Sequence, residues 1–239
     1  MYSDSFCEVY NIFGWNYYPE AFGEQLLLWM NQHHVSLNRC LDLACGTGVL
    51  CGLLSERGYD ASGMDFSQGM IRIAKENYPN LSFDVADMIV YRPEKKFDLV
   101  TCTGDAINHI HDLNDVGRIF ENVYAYLETG GYFIFDILNE NEVTTDEPFD
   151  LDFSDTVKAV FRLSKGEDLF VTLSTSVFEN GEFRFREEIR EKIHDPNVIC
   201  RMLRLVGFEV IKCADQLPDE GSYHGTTWYI IAKKQEQEG

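Results

Sequence analysis

The stretch LDLACGTG at residues 41–48 sets an acid near the end of an apolar run and follows it with Ala44, Cys45, Gly46, Thr47 and Gly48. A short apolar run of this kind reads as a buried strand. A glycine-rich turn directly after a strand removes side chains where a ligand presses on bare backbone. The helix that begins at Gly48 offers free N–H groups to that ligand. Close packing of helix on strand is the other use of such glycines, and the turn alone does not separate the two.

Outward from this stretch, short apolar runs alternate with helical segments. CLDLA (40–44) is the first strand, and a helix from Gly48 to Arg57 is ended by Gly58. DASGMDF (60–66) is a second strand, followed by a helix through about Asn77 and a break at Pro79. LSFDVAD (81–87) and FDLVTCT (97–103) are the third and fourth. Val116, Ile119, Phe120, Val123 and Leu127 fall at helical spacing, so 115–127 is a helix. Gly130-Gly131 turns the chain into YFIFDIL (132–138). Strands alternating with helices predict βαβ units and a mainly parallel sheet with right-handed crossovers.

The texture changes at residue 140. Segments 140–195 read as antiparallel strands with turns at Lys165-Gly166 and Asn180-Gly181, hence as a β insertion. Asp195-Pro196 caps a helix that ends at Gly207. FEVIKCAD (208–215) and TTWYIIAKK (226–234) form an antiparallel pair at the sheet edge. The organisation expected is therefore an N-terminal segment over 1–38, an α/β core over 39–139 and 196–239, and the insertion between them.

The net charge of −20 repels nucleic-acid phosphates and anionic membrane surfaces, which argues against both as partners. Seven cysteines include no C-x-x-C pair and sit largely in apolar runs, as in a reduced compartment. MYSDSFCEVY lacks the basic and apolar regions of a signal peptide, and no apolar run approaches membrane-spanning length. A cytoplasmic protein is expected. No cluster of His, Cys and Asp has metal-ligand spacing, so no metal is expected.

Ligands of open α/β sheets bind beyond the carboxyl ends of the strands. Asp65 stands at that end of the second strand, 17 residues past Gly48, where an acid can accept both hydroxyls of a ribose. Asp87 ends the third strand, and Met88 follows it; an acid and a flat apolar side chain there suit an adenine amino group and ring face. The set LDLACGTG, GMDFSQGM, ADM, FDLVTCTGDAINHI and LETGGYFIFDI resembles the class I S-adenosylmethionine-dependent methyltransferases, in order and spacing, over about 39–138. The resemblance is to small bacterial members with a β insertion after the fifth strand.

That resemblance implies a Rossmann-like, doubly wound mixed sheet of seven strands with an antiparallel final strand. It implies S-adenosylmethionine as cofactor and S-adenosylhomocysteine as product. By position, Asp42, Ala44, Gly46 and Gly48 would line the methionine portion, and Asp65 would hold the ribose. Phe66 or Met70 would lie against the adenine, with Asp87 and Met88 on its other side. Backbone at Cys102, Thr103 and Gly104 would face the cofactor's amino group. The N-terminal helix would close over the cofactor as a lid, with Tyr10 near the sulfonium. A nicotinamide enzyme fits less well: its G-x-G-x-x-G turn wraps a pyrophosphate, whereas here the third glycine comes one residue late and an acid stands beside the loop.

A methyl sulfonium is already activated, so positioning carries much of the catalysis, and a base is needed only for a protonated nucleophile. Asp105, Asn108 and His109 follow the fourth strand and are the polar candidates for catalysis. Tyr17, Tyr18, Tyr223 and His224 are candidates for substrate binding. The function expected is methyl transfer to N or O of a small molecule by a monomer or homodimer. The alternatives are a cofactor-binding regulatory or sensor protein without transfer activity and a methyltransferase of protein substrates. The insertion is expected to wall the substrate pocket or to form a dimer contact.

Overall fold

The computed structural model describes residues 2–140, 148–215, 217 and 227–235. The core strands are β1 (Arg39–Leu43), β2 (Asp60–Asp65), β3 (Ser82–Val85), β4 (Phe97–Cys102), β5 (Leu127–Leu138), β10 (Phe208–Ala214) and β11 (Thr227–Lys234). They form one sheet in the order β10-β11-β5-β4-β1-β2-β3. All neighbours pair in parallel except β11, which runs antiparallel to both β5 and β10. The sheet is a Rossmann-like mixed sheet with an antiparallel final strand, as the sequence implies.

Two edges of that expectation change. The last two strands do pair antiparallel, but β11 inserts between β5 and β10 and only β10 is the edge. The apolar phase of β11 explains this, since Tyr229, Ile230, Ile231 and Ala232 are buried on both faces. The fifth strand also starts at Leu127 rather than after Gly130-Gly131, because Leu127 already pairs with Phe97 before an irregularity carries the register to Tyr132 opposite Leu99.

Helices cover both faces. α2 (Tyr17–Gln32), α3 (Val49–Glu56) and α4 (Gln68–Asn77) bury Phe22, Leu26, Trp29, Leu50, Leu54 and Ile71 on one side. α5 (Leu113–Tyr126) and α6 (Pro196–Val206) bury Val116, Ile119, Phe120, Val123, Ile199 and Leu203 on the other. Asp195 caps α6 by accepting from Asn197 N at 2.8 Å, and Gly207 ends it at φ +113°.

The insertion is an antiparallel meander of β6 (Phe149–Asp152), β7 (Val157–Lys165), β8 (Phe170–Glu179) and β9 (Glu182–Lys192). Asn180 and Gly181 both have positive φ, which matches the twist of a two-residue hairpin. Its apolar face, with Ala159, Phe161, Val177 and Ile189, packs on Phe6 and Phe13 of the N-terminal segment. That segment is α1 (Asp4–Tyr10), a turn through 11–16, and α2. The ring-dense stretch 10–18 is therefore mostly a turn rather than a helix, and Gly14 at φ +77° makes the reversal.

Candidate active site

The chain runs from β1 outward to β2 and β3, then returns to β4 on the other side of β1. The crevice above the carboxyl ends of β1 and β4 is the switch point where such sheets bind ligands. Two adjoining chambers open there, sharing Tyr2, Tyr10, Ala44, Gly46, Thr103 and Gly104 in their walls.

The larger chamber, about 330 Å³, runs toward β2 and β3. Met64, Ala86, Met88, Ile89 and Ile110 give it apolar walls, and Asp65 and Asp87 stand in it. Phe66 lines it with a ring that is 53 % exposed, which leaves an aromatic face free for a flat ligand. Asp65 accepts from Gly46 N at 2.9 Å and Ser67 N at 2.8 Å, so it ties the glycine loop to the start of α4. Asp87 accepts from Ile89 N at 2.9 Å. Each carboxylate retains lone pairs for ligand hydroxyls.

The smaller chamber, about 240 Å³, lies between the core and the insertion. Asp42, Asp105 and Glu191 line it, with Tyr2, Tyr10, Trp15 and Tyr18 as rings and Leu173 and Ile189 from the insertion sheet. Asp42 accepts from Thr101 Oγ1 at 2.7 Å, and burial pushes its carboxyl up to about 7. Burial also raises Asp65, and it raises Asp105 well above the carboxylate range. Asp105 sits at φ +59°, and its Oδ1 is buried with no hydrogen-bond partner. Behind the wall, the buried Asp136 accepts from Gly104 N at 3.0 Å, Asp105 N at 2.8 Å and the Tyr18 hydroxyl. Burial lifts the Asp136 carboxyl to about 6.

His109 lines the larger chamber with Nε2 3.3 Å from Glu191 Oε1. An ion pair would raise the histidine and lower the acid. Burial acts the other way and dominates, depressing His109 to about 4 and raising Glu191 to about 7. A neutral imidazole with so low a pKa is a poor proton acceptor near neutral pH.

Five carboxyl groups thus line the crevice, and no Lys or Arg does among the described residues. Such walls repel a pyrophosphate and suit a ligand that carries positive charge. The space left beside Gly46, where an added Cβ would meet nothing within 4 Å, lets a ligand reach the backbone. The donor set fits a cofactor with an ammonium, a sulfonium and an adenosine.

Comparison with known proteins agrees. A family model described as a methyltransferase domain matches residues 40–131. The Bacillus subtilis (strain 168) protein named as a methyltransferase, YqeM, is 28% identical over 225 residues, covering 88% of this chain and 90% of its own. A solved S-adenosylmethionine-dependent methyltransferase from Clostridium acetobutylicum is 26% identical with a TM-score of 0.78, covering 90% of this chain and 91% of its own. Residues 40–131 form a methyltransferase domain, and the chain as a whole resembles the class I S-adenosylmethionine-dependent methyltransferases. Their cofactor, S-adenosylmethionine, matches the charge and shape of the crevice. The S-adenosylmethionine-bound amino pentose methyltransferase CalS10 of Micromonospora echinaspora shares the fold at 18% identity and TM-score 0.76, over 98% of each chain.

Within this methyltransferase crevice stand Tyr10, Asp42, Ala44, Gly46, Asp65, Phe66, Asp87, Met88, Thr103, Gly104, Asp105, His109 and Tyr18. Five expected site residues line neither chamber. Met70 and Cys102 are buried core side chains, and Asn108 spends its amide on Lys192 O (2.6 Å) and Leu138 N (3.0 Å), which joins the two sheets. Gly48 faces α4 and β3: a Cβ there would lie 2.8 Å from the Phe83 ring and 3.1 Å from Ala74. Tyr17 is 69 % exposed and lines neither chamber. Tyr223 and His224 lie outside the described residues. Tyr2 and Glu191 line the crevice without having been singled out from the sequence, and Trp15, expected to pack onto the core, lines it as well.

Gly48→Ala should therefore act on the fold. With φ at +81° and the ring in its path, alanine is expected to cost about 1–3 kcal/mol, read as a lower Tm of a protein that still binds S-adenosylhomocysteine.

The buried acids also set a pH dependence. Their folded pKa values lie above the carboxylate range of the unfolded chain, so the stability they contribute is present on the acid side and lost as pH rises through about 6–7. Burial depresses His109 and His194, which cost stability as pH falls below about 6.5. Between about pH 6.5 and 8 the acids dominate. Tm without ligand is expected to fall over that interval by a few degrees, the equivalent of about 1 kcal/mol or more. A flat or rising Tm would contradict the raised pKa values of these buried acids.

Proposed function

We propose that this protein transfers the methyl group of S-adenosylmethionine to a nitrogen or oxygen of a small molecule held in the smaller chamber. S-adenosylmethionine supplies a methyl group already activated on a sulfonium. Asp42 pairs with the cofactor's ammonium, Asp65 accepts from the ribose hydroxyls, and Phe66 and Met88 face the adenine ring, with Asp87 at its amino edge. Tyr10 lies where the two chambers join and turns an aromatic face toward the sulfonium.

The observation that carries the reading is the division of one crevice into two chambers of different chemistry. The larger has apolar walls, an exposed ring and hydroxyl-accepting acids. The smaller has rings and acids, and is bounded by both the N-terminal segment and the insertion. A space of about 240 Å³ suits a small molecule better than a protein segment. We read the N-terminal segment as the lid. Ser3 binds Glu187 on β9 through N (3.2 Å) and Oγ (2.6 Å), and Asn11 accepts from Thr47 Oγ1 at 3.0 Å, so the segment ties insertion to glycine loop. We read the insertion as the acceptor-side wall.

Calorimetric titration with S-adenosylhomocysteine, with NADH as the competing trial, tests the reading. Micromolar binding of the first alone is expected. Binding of NADH alone, or of neither, would overturn it.

A further inference from the structure

The acid balance of the smaller chamber exceeds what the cofactor uses. Asp42 sits beside the glycine loop and answers one ammonium. Asp136 is engaged by three donors. Asp105 and Glu191 are left over on the acceptor side, with Tyr2, Tyr10, Trp15 and Tyr18 around them. Tyr10 and Trp15 meet edge to face at 5.3 Å, and Tyr2 stands edge-on to His109 at 5.9 Å, so the rings form a continuous wall. Rings that present π-faces next to carboxyl groups recognise organic cations.

Two features set this apart from a solvated acidic patch. Asp105 Oδ1 is buried and lacks any donor, although a buried acceptor left unmade costs about 1–3 kcal/mol. Glu191 reaches the chamber from β9 on the inward phase of a strand whose alternate residues, Glu188 and Arg190, point to solvent and pair there with Arg186 and Asp168. An acid on that phase carries a desolvation cost, which an incoming cation would offset.

We propose that the methyl acceptor is a primary or secondary amine, held in this ring-lined chamber by Asp105 and Glu191, and that transfer is to its nitrogen. The inference rests on the methyltransferase reading above. The bound ammonium first passes one proton to the Glu191 carboxylate, which frees the nitrogen lone pair. That lone pair forms the new N–C bond as the S–C bond of the donor breaks, sulfur keeps the S–C electron pair, and the product leaves as the methylated ammonium. His109 holds that carboxylate from the cofactor side at 3.3 Å and serves as a positioning residue. Burial raises Asp105 and Glu191 in the chamber without an occupant, and an ammonium beside them restores both carboxylates.

The test uses the full chain saturated with S-adenosylhomocysteine and matched probes: benzylamine, benzyl alcohol and benzoate, with glucosamine, glucose and glucuronate as a second set. An amine in at least one set is expected to raise Tm and bind by calorimetry at least about tenfold more tightly than its alcohol and its acid. Glu191→Gln should lower that amine affinity at least about tenfold and leave S-adenosylhomocysteine affinity unchanged, which also shows the variant folded. With S-adenosylmethionine, mass spectrometry should find the added methyl on nitrogen. Equal or tighter binding of an alcohol or acid, methylation on oxygen, or no response to any amine while S-adenosylhomocysteine binds overturns the amine inference and leaves the methyltransferase reading intact. Failure of S-adenosylhomocysteine itself to bind overturns that reading and the inference with it.

Discussion

Replacing Asp65 by alanine is expected to weaken S-adenosylhomocysteine binding by at least about 1.5–3 kcal/mol, a 10- to 150-fold rise in Kd. That range covers one lost hydrogen bond to a charged group. Asp65 does more than face a ligand, because its two oxygens already accept from Gly46 N and Ser67 N. Ser67 in turn caps α4 by accepting from Met70 N at 3.3 Å. Alanine therefore removes the acceptor for the ribose and releases the glycine loop from the start of α4 at once. Asp65→Asn separates the two losses, since an amide oxygen still accepts one backbone bond while the charge is gone. It should fall between wild type and alanine in affinity and stay close to wild type in Tm. An alanine variant that melts cooperatively and binds with unchanged Kd would mean that the ribose lies elsewhere.

Most of the core was legible because a buried parallel strand has to be apolar on both faces and has to be followed by turn residues. LDLACGTG and FDLVTCT follow that rule closely and DASGMDF in part, and their carboxyl ends meet on one edge. Residues that depend on which face of an element they occupy were harder to place. In FRFREEIREK the odd positions 185, 187, 189 and 191 turn inward while 186, 188 and 190 are exposed. Reading that two-residue phase would have separated Glu187 and Glu191 from the solvated charges around them. Asp136 gave a similar signal, an acid inside YFIFDIL, a run buried from Phe133 to Leu138. A charge there needs donors from outside the strand, and those come from residues 18, 104 and 105, too far apart in sequence for spacing to reveal. Asn108 and Gly48 erred in the other direction. Both fall inside a motif, yet one joins two sheets and the other admits the Phe83 ring, roles that only tertiary packing defines.

Asp136→Ala is expected to be the most destabilising single change at the site, by about 3 kcal/mol, the upper range for a hydrogen bond to a charged group. Asp136 is fully buried on β5 and lines neither chamber, so nothing it does requires contact with a ligand. Its carboxylate bears a desolvation cost, visible as the rise to about 6, and three donors offset it. Two of them are the backbone amides of Gly104 and Asp105, and Asp105 is held at φ +59°, a conformation that costs a non-glycine residue about 1 kcal/mol or more. Without Asp136 the loop relaxes toward an unstrained conformation and the Thr103–Asp105 segment leaves both chamber walls. Tm should drop by about 6–12 °C, taking about 2–4 °C for each kcal/mol in a chain of this size. Ligand affinity should fall with it although the altered side chain touches no ligand. The third donor provides the internal check. Tyr18→Phe alone should cost about 1 kcal/mol, and in the Asp136→Ala background close to nothing, because its acceptor is already gone. Additive losses in that double mutant would mean that Tyr18 and Asp136 act separately, and the buried carboxylate would then no longer explain how α2, β5 and the loop after β4 are held together around the crevice.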